Sequence, residues 1–133
     1  MNLIDTTADK NMKQKRLTPE FSEGLDNKPL EELLTMLNVR EGFGKVGVIF
    51  AIAHQSRTKP ELMNLVLRET ASLENQSTIA MFNFTVAMSA AFAVVDDGRP
   101  EHIKALKQII DEWADPYHAE DFYWSLKGID IVI

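Results

Sequence analysis

From Asn75 to Val95 (NQSTIAMFNFTVAMSAAFAVV) the chain carries no charged residue, between Glu74 on one side and Asp96-Asp97 on the other. A run this long has to be hidden from water, in a bilayer or at the centre of a folded core. The residues favour the core. The run contains no Leu, and Ala, Met, Ser and Thr dilute its Ile, Val and Phe. Asn75, Gln76, Ser77, Asn83 and Ser89 all lose on transfer to hydrocarbon, and the acidic flanks give no Lys or Arg to orient a span. Phe82, Phe84, Val86 and Met88 alternate with Asn83, Thr85 and Ala87, which is the period of a strand. Ala and Met favour helix, however, and no turn signal is read within the run. The run is therefore expected to be one helix from about Ser77 to Val95, apolar nearly all round and wrapped by others. Ala87, Ser89, Ala90 and Ala91 would let those neighbours approach closely.

The flanking sequence supplies the wrapping helices. Leu30, Leu33, Leu34 and Leu37 fall at i, i+3, i+4 and i+7, behind Pro29 and an acidic first turn at Glu31-Glu32. A second helix is predicted from about Gly44 to Ser56. A third opens at Thr58-Lys59-Pro60-Glu61, a capping-box pattern, with Leu62, Leu65, Val66 and Leu73 apolar. Asp96-Asp97-Gly98 reads as a turn. A fifth helix begins at Pro100 with Ile103, Leu106, Ile110 and Trp113 in phase, and Asp115-Pro116 stops it. Asp115 then caps a sixth helix that ends at Gly128. Pro29, Pro60 and Pro100 each open an amphipathic helix followed by a more apolar partner. The expected fold is all-α: a compact bundle of five to six helices, as three helical hairpins around an apolar central helix. A flexible N-terminal arm over 1–27, a single helical domain over 28–133 and an extended tail at Ile129–Ile133 complete it. That tail must dock on its own bundle, pair with another copy or be covered by a partner.

The chain has 133 residues, no Cys and a net charge of −6. Without Cys there is no disulfide frame, thiolate metal site or Cys nucleophile. The N-terminus is polar with no apolar leader, so a cytoplasmic location is expected. Lys10, Lys13, Lys15 and Arg16 outnumber Asp5 and Asp9 in the arm, which leaves the body more acidic than the whole. An acidic body repels a phosphate backbone, so no direct nucleic-acid binding is expected.

Gly42-Phe43-Gly44-Lys45-Val46-Gly47 fits G-x-G-x-x-G, but it follows a Leu-rich helix and not a strand. Its glycines are read as structural, in a flexible connection or where two helices touch. Asp111, Asp115, His118 and Asp121 are the candidate metal ligands, with Asp115-x-x-His118 at a helix start. The structural alternative makes Asp115 a cap and the other acids a solvated face. His54 and His102 are read as hydrogen-bonded or exposed, not catalytic. No cofactor is expected.

Both tryptophans and both tyrosines lie between Trp113 and Trp124. On a helix from Pro116 to Leu126, Ala119, Phe122, Tyr123 and Leu126 share one face, while Tyr117, Asp121 and Trp124 share another. Both faces cannot make one core contact, so Tyr117 with Trp124 is expected to be exposed. Trp113, Tyr117, Asp121 and Trp124 are therefore the predicted partner-binding residues. The function expected is non-enzymatic binding of another protein by an acidic adaptor, inhibitor or chaperone-like module, a homodimer being one form. The alternative is a small-molecule-binding or metal-dependent bundle, its pocket between the central and C-terminal helices with Asp115, Tyr117 and His118 at the rim.

Overall fold

A computed structural model describes residues 19–133. The greater part of the flexible arm expected over 1–27 lies outside the described residues. Seven α-helices are present among them: α1 (Leu30–Val39), α2 (Gly42–Gln55), α3 (Met63–Ala71), α4 (Leu73–Ser77), α5 (Val86–Asp97), α6 (Pro100–Asp111) and α7 (Pro116–Gly128). Short 3-10 turns occur at Pro19–Ser22 and Pro60–Leu62, and β1 (Ile79–Met81) pairs antiparallel with β2 (Phe84–Thr85). The expected all-α bundle around an apolar helix is the observed architecture.

α5 is that central rod. Every residue from Val86 to Asp96 except Phe92 is buried, and the helix packs on α2, α3, α4 and α6. Its small residues Ala87, Ala90 and Ala91 are wholly covered. The predicted stripes face it or its neighbours. Leu33 is fully buried with Leu30, Leu34 and Leu37 packed beside it, and α6 buries Leu106 and Ile110. The helices pack as α1 on α2, α3 on α5 and α6 on α7.

The uncharged run is not one helix. Its first half forms α4 and the β1–β2 hairpin, and only Val86 onward enters the central rod. Ile79 and Phe82 are exposed, so the run is not hidden from water throughout. The reason is local. Thr85 ends the strand and caps α5, its hydroxyl accepting the Met88 N–H at 3.0 Å. Thr78, Ile79 and Thr85 are β-branched and lose rotamer freedom in a helix, and Asn83 is at ease in a turn. The strand alternation seen around Phe82–Phe84 was the stronger signal there.

Two further expectations change. The Thr58 hydroxyl donates to the Gln55 carbonyl at 3.1 Å, at the end of α2, so the capping box at Thr58–Glu61 does not form. The hydroxyl satisfies a carbonyl at the end of α2 instead. Leu73 is exposed because Ser72 breaks the third helix and caps α4, accepting the Asn75 N–H at 3.2 Å. Packing also begins ahead of Pro29, since Ser22 and Leu25 are buried.

Candidate functional site

α7 is built as the sequence predicts. Asp115 Oδ1 accepts the Tyr117 N–H at 2.9 Å and fixes the helix start behind Pro116. Phe122 and Leu126 are buried, with Ala119 and Tyr123 packed beside them. Phe122 meets Trp113, Phe92 and Tyr123 in ring contacts of 6.0–6.2 Å between centroids. Burial, with a lesser push from the Asp111 carboxylate, raises the Tyr123 phenol above its ordinary range.

The opposite face is open. Tyr117 is 71% exposed and Trp124 64% exposed, with Asp121 exposed between them. Lys127 lies 5.6 Å from the Trp124 ring centroid, and a cation over the ring's face helps to hold it in place. Trp113, predicted to bind a partner, is instead a core residue at 7% exposure, its indole N–H donating to the Thr70 carbonyl at 2.9 Å. It sits just past the end of α6, where its helical phase points it at α3.

The candidate metal ligands do not converge. His118 Nε2 stands 3.7 Å from Asp115 Oδ2, while Asp111 and Asp121 are exposed. Among the described residues no three His, Asp or Glu side chains gather where a metal ion could be held. Asp115 is used as the cap.

The glycine motif lies inside α2. A Cβ on Gly47 would stand 2.7 Å from the Phe21 carbonyl oxygen, so this glycine is where the Pro19–Ser22 turn rests on the helix. Lys45 is held by Glu69 Oε1 at 3.3 Å and Asn75 Oδ1 at 3.2 Å. A lysine neutralised by a carboxylate offers little to a phosphate. The other two histidines lie beside carboxylates: His54 Nδ1 is 3.1 Å from Asp26 Oδ1, and His102 Nδ1 is 3.5 Å from Asp97 Oδ2.

The cavity against α5 does not have Asp115, Tyr117 or His118 at its rim. It is lined chiefly by Phe21, Phe50, Met81, Phe84 and Phe92. Its aromatics are scattered along the chain, so no spacing in the sequence marks them as one site. Only the Phe-Asn-Phe-Thr alternation hinted that the chain turns there.

No helix among the described residues is long and apolar enough to cross a membrane. The chain matches no protein-family model, no curated protein and no solved structure.

Proposed function

We propose that this protein acts by binding another protein, not by catalysis, through the α7 stripe of Tyr117, Asp121 and Trp124. One observation carries the reading: two large aromatics stand in water at i and i+7 of a capped, well-packed helix. Rings of this kind bury a large area at small cost in rotamer entropy, which is why binding energy concentrates on them. Glu120 and Asp121 are exposed on the same helix, and Asp111 and Glu112 at the end of α6. A partner with an apolar cleft and a basic rim fits that chemistry, the charges steering encounter more than adding affinity. An adaptor or an inhibitor of a basic surface is the role this supports, in the cytoplasm. A second copy of the chain is the competing partner.

The test is chemical cross-linking of the full chain in lysate of its host, beside the Tyr117→Ser/Trp124→Ser double variant. The expected result is a partner captured by the natural chain, lost by the variant, with hydrogen exchange of residues 117–124 slowed in the complex. Equal capture by both chains, or unchanged exchange in α7, overturns the proposal. Sedimentation equilibrium of the purified chain separates a self-dimer from a foreign partner.

A further inference from the structure

Away from α7, the Pro19–Ser22 turn, α2, the β1–β2 hairpin and α5 line a half-open cavity of about 320 Å³. The Pro19–Ser22 turn and α2 contribute Phe21 and Phe50, an edge-to-face pair with centroids 5.3 Å apart. The hairpin and α5 contribute Phe84 and Phe92, a tilted pair at 6.0 Å. Its polar lining is Asn83, exposed at the hairpin turn, and Ser89, whose hydroxyl is already given to the Thr85 carbonyl at 3.1 Å. Among the described residues no charged side chain lines the cavity. An ion placed against these rings would shed hydration that no described charge replaces.

Phe82 adds an independent observation. It lines the same cavity at the hairpin tip, is 89% exposed and holds φ at +54°. The left-handed region disfavours a bulky side chain, whereas Asn or Gly occupies it readily. Among the described residues, a ring 89% exposed finds little packing to offset that backbone. A ring at the mouth of an apolar cavity gains contact once a ligand lies against it.

We propose that this cavity binds an uncharged apolar small molecule, a fused-ring aromatic or a medium-length alkyl compound, with the Phe82 ring packed against it. The size lies at the lower end for small-molecule pockets, which are mostly apolar with few polar groups.

The full chain is titrated with 2-naphthol, and separately with 1-hexanol, 1-heptanol and 1-octanol, while amide shifts are followed by NMR. The expected result is a saturable one-to-one shift centred on Met81, Phe84, Ser89 and Phe92. Each added methylene in the alcohols should tighten the Kd by roughly fourfold until the cavity is full. Octanoate should bind more weakly than 1-octanol. Phe82→Asn should melt at the same or a higher temperature and weaken 2-naphthol at least about threefold. Ser89→Leu should fill the cavity and abolish binding; if it does not fold, Phe82→Asn alone decides. The Tyr117→Ser/Trp124→Ser variant should bind 2-naphthol unchanged, so this site and the α7 surface stand or fall separately. The proposal is overturned by unsaturable shifts, by shifts centred on α7 or on residues 1–18, or by affinity unaltered in Phe82→Asn. Octanoate binding as tightly as 1-octanol overturns it too. So do concentration-dependent shifts without probe, which would put a second copy in the cavity.

Discussion

Arg99 holds Asp97 with a two-pronged grip, its Nε 2.7 Å from Oδ2 and its Nη2 2.9 Å from Oδ1. The same Nη2 donates to the Ser56 carbonyl at 3.1 Å and to the Ser56 hydroxyl at 2.8 Å. One guanidinium therefore ties the last residue of α5 to the C-terminal cap of α2, where a cation also suits the helix dipole.

Removing that grip should cost more at neutral pH than in acid. The Asp97 side chain is 3% exposed. Burial opposes its charge, but the hydrogen bonds and charge of Arg99, with a smaller share from His102, hold its pKa below the ordinary 3.8. A depressed carboxyl pKa contributes stability above its unfolded value, lost as pH falls through the folded one. Arg99→Met leaves the buried carboxylate with only His102 beside it and should destabilise by about 3 kcal/mol at pH 7. Without Arg99, burial is opposed only by His102 and the Asp97 pKa rises. The gap between natural chain and variant should then narrow as pH falls, starting above 3.8 where the variant's carboxyl takes its proton and ending below the natural chain's depressed pKa. Urea titrations at pH 7 and pH 3 measure it; a gap equal at both would remove Asp97 from the explanation.

Gly47 and Gly44 should respond to alanine with opposite signs, although both are glycines of α2. A Cβ on Gly47 collides with backbone, the Phe21 oxygen at 2.7 Å, while one on Gly44 meets only the Arg40 side chain at 3.7 Å or more. Gly47→Ala has to displace the Pro19–Ser22 turn and should lose roughly 1–3 kcal/mol. Gly44→Ala replaces a poor helix former without a clash and should gain about 0.5–1 kcal/mol. Midpoints of chemical unfolding at constant slope check both, and like signs would refute the contact.

The two indoles should separate under acrylamide. Trp124 is 64% exposed and Trp113 is 7% exposed with its N–H bonded to Thr70. Quenching of the natural chain should be biphasic. Trp124→Phe should leave one protected, blue-shifted emitter and change stability by less than about 0.5 kcal/mol. Trp113→Phe strips the Thr70 carbonyl of its donor and should cost roughly 1–3 kcal/mol. Uniform quenching of both rings would contradict the assignment of faces on α7.

What was legible in the sequence was periodic and local. Leu30, Leu33, Leu34 and Leu37 announce α1 because a 3.6-residue period puts them on one side whatever they pack against. Asp115-Pro116 announces α7 because the cap and the fixed proline φ act within one turn. The division of α7 into a Phe122 face and a Tyr117–Trp124 face follows from the same period. The β1–β2 hairpin was hidden because residues 78–85 have near-balanced propensities, decided by the Thr85 cap and the packing of Val86 onward. The Phe21–Gly47 contact and the aromatic cavity were hidden for a different reason. They join residues from position 21 to position 92, and no spacing in a single chain encodes which distant ring will meet which. The Asp97–Arg99 pair read only as a turn, since Gly98, at φ +81°, is what folds Arg99 back onto its partner.

Deleting Ile129–Ile133 should destabilise the chain without altering its mass in solution. The expected tail folds back on its own bundle. The Ile131 N–H donates to the Leu126 carbonyl at 2.9 Å, and Ile131 and Ile133 pack partly buried against the core. Ile133 borders a groove on α6 shared with Ile103 and Lys107, so truncation uncovers apolar surface on that helix. Half-burial of two isoleucines, at about 25 cal/mol per Å², is worth roughly 1–3 kcal/mol. Val132, 93% exposed between them, contributes little, and Val132→Ser should be close to neutral. Thermal melting and sedimentation velocity of a chain ending at Gly128 provide the check. A lower melting temperature with unchanged sedimentation is the expected outcome. Unchanged melting would deny the docking in cis, and a drop from dimer to monomer would show that the tail holds a second copy instead.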